Sequence, residues 1–316
     1  MRKFIINSII VAFILLLGSA CFLRVLASFP NHYSQLSYYG VGTMQQIERI
    51  KKLKEPKVII IGGSNCCFGL CSPLINKHFG MPVCNTGVNY AFGLQMQIKL
   101  YEEYVKSGDI VVVIPEYHQY MDDFYLGNNE ILQMLTSVYP QGYKLFTVRQ
   151  QLHLLPYVPK AFRLACMMKE VSPKGVYSKN SLNEYGDVEM YDIRYHLDTV
   201  DWTPKDWREP SVQKRTVQLL QDFNRHCESR GAIMLLFPPV FNASNFDTNE
   251  TYIHKIWKTL ETRKLMLASF PERYRLPDTL FYDSPYHLTY EGVLIRTNRL
   301  IEDMDSALRI FNNVRP

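Results

Sequence analysis

Lys57-Val-Ile-Ile-Ile61-Gly-Gly-Ser64-Asn-Cys-Cys-Phe-Gly69 sets a short β-branched run against a glycine pair and a serine. Four apolar residues closed by two glycines read as a buried strand with a turn behind it. Working outward, Pro82-Val-Cys-Asn85 fits a second strand and Ile110-Val-Val-Val-Ile114 a third. Between them Leu94, Ile98, Tyr101 and Val105 recur at helical spacing, and Gly108 stops the helix. Val217, Leu220 and Phe223 predict a helix ahead of a strand at Ile233-Met-Leu-Leu-Phe237, and a further helix is expected after Thr248. Leu280-Phe-Tyr282 reads as a last short strand. The final helix carries Leu294, Thr297, Ile301, Met304, Leu308 and Phe311 three and four apart, which predicts one buried stripe. Strands alternating with helices imply an α/β fold with a mostly parallel sheet, whose ligands bind beyond the carboxyl ends of the strands.

The flanks of this unit differ in character. Phe4 to Leu23 runs about twenty residues without a charge, the length an α-helix needs to cross a bilayer. Arg2 and Lys3 precede it, and after Arg24 no Lys or Arg appears until Arg49, so the positive-inside bias leaves the N-terminus cytoplasmic and the rest of the chain outside. The alternative is a cleaved signal peptide, against which stand the length of the run and the lack of a clean A-x-A site after it. The expected organisation is an anchor over residues 1–27, a polar and aromatic stalk over 28–56, and one domain over 57–316. Residues from about Tyr139 to Pro210 break the rhythm with Tyr, Pro, Lys and Asn and are expected to form an insertion, a lid or a partner surface.

Composition narrows the function. With 47% apolar residues in a 316-residue chain, a sizeable core is available. A balance of 35 Lys and Arg against 30 Asp and Glu, with no dense basic block, excludes nucleic acid as an expected partner. The seven cysteines show no disulfide framework, and Cys66, Cys67 and Cys71 lack a second pair at zinc spacing, so neither a metal nor an organic cofactor is expected. Gly62-Gly-Ser-Asn-Cys-Cys-Phe-Gly69 also lacks the Gly-Lys-Ser/Thr ending of a phosphate-binding loop.

Ser64 would stand at the carboxyl edge of the first strand. A serine hydroxyl becomes a nucleophile only when a base takes its proton, so this role needs a histidine with an orienting acid. The alternative for Ser64 is a helix N-cap on a glycine-rich turn. Phe281-Tyr-Asp283-Ser-Pro-Tyr-His287-Leu288 supplies an Asp and a His near the last strand, so Ser64, Asp283 and His287 form the candidate triad. His118, after the third strand, is the second candidate base.

These segments together resemble the SGNH (GDSL-like) hydrolase superfamily. The resemblance rests on Ile61-Gly-Gly-Ser-Asn-Cys-Cys-Phe-Gly69, Asn85-Thr-Gly-Val-Asn89, Gly108-Asp-Ile-Val-Val-Val-Ile-Pro-Glu116 and Asp283-Ser-Pro-Tyr-His-Leu-Thr-Tyr-Glu-Gly292. It is to a bacterial membrane-anchored branch similar to proteins of teichoic-acid D-alanylation and exopolysaccharide O-acetylation. It implies a three-layer α/β/α sandwich, with Ser64 as nucleophile and Gly87 and the Ser64 amide as backbone donors to an oxyanion. Three departures stand out. Gly63 replaces the usual Asp before the serine, Pro115-Glu116 stands where many members carry an oxyanion-hole Asn, and Asp283 and His287 are one residue further apart than usual. Asn89 is the expected substitute donor, Glu116 joins the oxyanion and substrate-binding set, and a bulge at Pro285 is expected to absorb the extra residue.

The resemblance implies a single-pass protein of the bacterial cytoplasmic membrane, its domain on the extracytoplasmic side. There it would act as a serine esterase or O-acyltransferase on acyl esters of a cell-surface glycan. Its implied partners are the glycan or an acyl donor and a multi-span membrane O-acyltransferase. The alternative is a noncatalytic accessory that keeps the fold and binds such an acyltransferase or an acyl carrier.

Overall fold

The computed structural model describes residues 2–27, 31–121, 124–167, 171–195, 197–208, 211–263 and 265–314. Residues 28–30 of the expected stalk and 168–170, 196 and 209–210 of the expected insertion lie outside them.

The centre is a four-stranded, all-parallel sheet of β1 (Val58–Gly62), β2 (Val83–Asn85), β3 (Ile110–Ile114) and β4 (Ile233–Leu236), in the order β2-β1-β3-β4. The chain is α/β, as expected. Because side chains alternate across a strand, each apolar run feeds two cores. Ile59, Ile61, Val111, Val113 and Leu236 join Ile47, Ile50, Ile98, Val217, Leu220 and Phe223 on one face. Val58, Ile60, Val112, Ile114 and Leu235 join Ile75, Leu300, Ile301 and Met304 on the other. At the amino edge of β1 and β3, a fully buried pair pins the strands together. Lys57 Nζ lies 2.7 Å from Asp109 Oδ2, and the Lys57 N–H donates to Asp109 Oδ1 at 3.0 Å.

From β1 the chain steps outward to β2 and then returns to the far side of β1 to form β3. Loops leaving the carboxyl ends of β1 and β3 therefore diverge from a common crevice, the usual ligand position in an open α/β sheet. Ser64 follows β1 and Glu116 follows β3, so this topology brings them together.

Several elements differ from the sequence reading. Over its described residues the segment expected as a stalk is no free stalk, because His32–Leu36 and Tyr38–Lys52 are helices and Tyr38, Ile47 and Ile50 are buried. Its polar look has a physical source: the buried face of Tyr38–Lys52 carries Gly40, Gly42, Thr43 and Gln46, and Gln46 Nε2 donates to the Glu184 carbonyl of the insertion. The helix expected after Thr248 begins at Ala243. The last strand is not part of the main sheet. β7 (Phe281–Ser284) pairs antiparallel with β8 (His287–Leu288), while β5 (Phe241–Asn242) and β6 (Arg275–Leu276) make a separate parallel pair.

The helix Tyr290–Val314 buries Val293, Thr297, Leu300, Ile301, Met304 and Ala307, leaving Leu294 and Phe311 half-buried. Its stripe also includes a fully buried Arg296. The apolar run Phe4–Leu23 lies in the helix Arg2–Ala27. Among the described residues no helix is long and apolar enough to cross a membrane.

The insertion wraps the carboxyl edge of the sheet. Asp187, fully buried, accepts from the Ser72 N–H and Ser72 Oγ, each at 2.6 Å, and from Asn85 Nδ2 at 2.8 Å. The Val188 N–H donates to the Cys67 carbonyl at 2.8 Å. A segment so tied to the turns after β1 and β2 is built into the domain at the candidate site.

Candidate active site

Gly63 delivers Ser64. A Cβ on residue 63 would stand 2.3 Å from Glu116 Oε1 and 2.8 Å from Tyr90 Cβ, so a side chain here would displace the Glu116 carboxyl beside Ser64. Gly63 is also the N-cap of the helix Ser64–Cys67 and offers no side chain for capping. Ser64 is thus the first helical residue rather than a capping serine, and its hydroxyl is released for other work.

A hairpin presents the histidine. Ser284 Oγ accepts from the His287 N–H at 3.1 Å and the Tyr286 N–H at 3.3 Å, closing the turn between β7 and β8. The Leu288 N–H donates to the Phe68 carbonyl at 3.2 Å, tying β8 to the chain just past Ser64. The Phe68 ring stacks on His287 at 4.1 Å between centroids with an interplanar angle of 15°. Phe281 pairs with Leu288 and Ser284 with His287, so Tyr282 and Asp283 are extra residues on β7. The longer Asp-to-His spacing is therefore taken up by a bulge that includes Asp283 itself, not by one at Pro285. A bulge re-aims its side chains, and here Asp283 turns toward the ring.

Ser64 Oγ lies 2.9 Å from His287 Nε2 across 223 residues of sequence, and His287 Nδ1 lies 2.8 Å from Asp283 Oδ1. The second oxygen, Asp283 Oδ2, accepts from the hydroxyl of Tyr177. With the ring proton on Nδ1, facing Asp283, Nε2 is left as the acceptor for the serine proton.

A second carboxyl competes for that proton. Glu116 Oε1 lies 3.3 Å from Ser64 Oγ and accepts from the Asn65 N–H at 3.0 Å. Glu116 is only 2% exposed. Burial pushes its carboxyl above the usual range, opposed by the Asn65 N–H and the nearby His287. Behind it stands Arg296, which donates through both terminal nitrogens to Asn65, to the backbone carbonyl and, at 2.7 Å, to Oδ1. Asn65 Nδ2 in turn reaches Ile114 O at 3.2 Å and Glu116 Oε1 at 3.5 Å. A buried cation and a buried carboxyl are thus linked through one asparagine directly behind the nucleophile.

The expected oxyanion donors separate. The Gly87 N–H points to Asn85 Oδ1 at 3.3 Å, and a Cβ there would meet Cys66 Cβ at 2.5 Å, so Gly87 serves close packing under the serine turn. Asn89 does line the cavity in front of Ser64. Its Oδ1 caps the following turn by accepting from the Ala91 N–H at 3.0 Å, and its Nδ2 donates to no described residue. His118, the second candidate base, sits on the cavity wall beside Trp207 and Tyr90 at ring separations of 5.6 and 6.2 Å. It makes no described contact with Ser64. Cys66 and Cys67 are buried thiols held up by desolvation, Cys66 to about 12, which leaves them unsuited as nucleophiles.

The cavity measures about 560 Å³ and has Ser64, Glu116, Asp283 and His287 on its floor. Phe241 and Tyr286, 4.8 Å apart, form one wall with Trp207, while Asp201, Trp202 and Lys205 of the insertion form the roof. The roof is strapped down by Asn245 and Asn249. The Lys205 N–H donates to Asn245 Oδ1, and the Trp207 N–H to Asn249 Oδ1, each at 3.1 Å.

Tyr38, Tyr177 and Arg296 were absent from the sequence reading. Arg296 had a signal, since it falls on the apolar stripe of its helix between Val293 and Leu300. Tyr38 starts a helix whose polar face masked it, and Tyr177 had no signal, because it reaches the site only through the path of an irregular segment. Comparison of the chain with family models, with curated proteins and with solved structures finds no match.

Proposed function

We propose that this protein is a membrane-anchored serine esterase or O-acyltransferase of the SGNH (GDSL-like) type, acting outside the cytoplasm on acyl esters of a cell-surface polysaccharide. The observation that carries the reading is the continuous relay Ser64–His287–Asp283, with steps of 2.9 and 2.8 Å. Apolar clusters on both faces of the parallel sheet support the three-layer α/β/α arrangement. The aromatic walls and scattered polar groups of the cavity suit an acylated sugar, whose ring carbons pack on aromatic faces while its hydroxyls find donors and acceptors.

In this reading His287 Nε2 takes the Ser64 proton as Oγ attacks the ester carbonyl carbon. Asp283 stabilises the imidazolium that forms. Asn89 Nδ2 and the Ser64 N–H meet the developing oxyanion. The alcohol leaves with the proton from His287, giving an acyl-Ser64, and water or a sugar hydroxyl then takes the acyl group by the reverse steps. The support for the anchor is the sequence alone, the charge-free run Phe4–Leu23 behind Arg2 and Lys3, which puts the basic end in the cytoplasm.

Fluorophosphonate labelling of the full-length protein tests the catalytic part, because only an activated serine reacts readily. Wild type should label at Ser64, while Ser64→Ala and His287→Ala should not. An unlabelled wild type would remove the enzyme reading.

The noncatalytic reading keeps one specific support, the Glu116 carboxyl beside the serine hydroxyl, where it competes with His287 for the single proton. In that case Ser64→Ala leaves surface acylation near wild type, and changes within residues 139–210 abolish binding of a membrane O-acyltransferase.

A further inference from the structure

We infer that Tyr177, contributed by the insertion, is a positioning residue that holds Asp283 in register with His287. The inference rests on the catalytic reading of Ser64, His287 and Asp283. Asp283 needs an outside support, because it stands in the bulge of a hairpin held by only two residue pairs, Phe281 with Leu288 and Ser284 with His287. Its Oδ1 faces His287 Nδ1 at 2.8 Å, and its Oδ2 accepts from the Tyr177 hydroxyl. With both oxygens bonded in fixed directions, the plane of the carboxylate is set, and so is the angle at which it meets the imidazole.

The hydroxyl is itself placed by packing. The Tyr177 ring lies 5.5 Å from Phe68, the residue stacked on His287, and 5.7 Å from Tyr38. The chain just past it is tied down twice. Ser178 bridges to Ser37, and the Glu189 N–H donates to the Ser181 carbonyl at 2.7 Å. Tyr177 keeps its proton here and donates it to Asp283, since burial first, and the Asp283 carboxylate next, raise its phenol far above the ordinary range. Its hydroxyl also comes to 3.5 Å from His287 Nδ1, at the limit of a hydrogen bond and against an atom already facing Asp283. Tyr177 therefore acts through Asp283 and carries no proton in the reaction.

Removing the hydroxyl takes one donor from the carboxylate, which then attracts the imidazolium more strongly. The acid limb of the reaction therefore moves upward. The orientation lost at Asp283 slows the chemical step about tenfold with little effect on KM.

The test compares wild type and Tyr177→Phe as full chains in detergent micelles. Fluorophosphonate labelling rates are followed between about pH 5 and pH 9, and the hydrogen-bonded Nδ1–H proton of His287 is followed by NMR in the same samples. Phenylalanine keeps the ring, and an unchanged thermal melt establishes that the packing survives. An upward-shifted acid limb together with a displaced Nδ1–H signal is the expected result. An unchanged limb and an unchanged signal would overturn the inference and leave Tyr177 a packing residue. If neither protein labels but the signal still moves, the catalytic reading falls while the role of Tyr177 at Asp283 stands.

Discussion

Replacing Asp283 by Asn should do more harm here than the loss of one charge suggests, and Tyr177 is the reason. Asp283 accepts on both oxygens, from His287 Nδ1 and from the Tyr177 hydroxyl. An asparagine has one oxygen and one NH2 to offer these two neighbours. Tyr177 keeps donating its proton to this position, so it claims the amide oxygen and turns the NH2 toward His287. Nδ1 must then accept, the ring proton moves to Nε2, and the atom 2.9 Å from Ser64 Oγ can no longer take the serine proton.

The cost has two parts. The lost charge-assisted bond to the imidazolium is worth about 1.5–3 kcal/mol. Turning the amide back to recover the productive tautomer takes the acceptor away from the Tyr177 O–H, leaving that half-buried donor unmet for about 1–3 kcal/mol more. The sum, about 3–6 kcal/mol, slows the reaction roughly 10²- to 10⁴-fold, still less than the complete loss expected for Ser64→Ala. The assay is the pseudo-first-order rate of fluorophosphonate labelling, run on Asp283→Asn alone and combined with Tyr177→Phe. Without the phenol the amide is free to turn, so the double variant should label about tenfold faster than Asp283→Asn alone. A double variant no faster than the single one, or an Asp283→Asn protein within tenfold of wild type, would refute the tautomer argument.

Two further outcomes follow from the same geometry. Glu116 is raised by burial, so it favours the fold in its neutral form, and that contribution is lost as pH rises through its raised value. Glu116→Gln should accordingly melt above wild type at about pH 8 and level with it at about pH 4, near the ordinary carboxyl range; equal melting temperatures at both would exclude a strained carboxyl behind Ser64. For topology, protease added to right-side-out membranes should digest residues 57–316, and full protection of the domain would place it on the cytoplasmic side instead.

The sheet was legible in the sequence because its strands are buried on both faces. A strand such as Val58–Ile61 or Ile110–Ile114 must then be apolar at every position, and local composition reports that directly. The relay was partly legible for a different reason. A serine on a glycine turn, and an Asp and a His in one hairpin, are local constellations, although the bulge that joins Asp283 to His287 shows only in the pairing of β7 with β8.

Tertiary structure alone decided the surroundings of the site. The helix Tyr38–Lys52 reads as solvated because glycine, threonine and glutamine share its inward face with Tyr38, Ile47 and Ile50, and the polar part of that face is met by the insertion, whose Glu184 carbonyl accepts from Gln46. Glu116 and Gly63 look like two unrelated departures from a family pattern, yet the carboxyl of one fills the space where a side chain on the other would stand. Tyr177 reaches Asp283 from a segment with no periodicity at all. Periodic signals arise where a regular backbone turns the same face to the same core at fixed intervals. A side chain brought in by an irregular loop has no such interval, so its partner is set by the path of the folded chain.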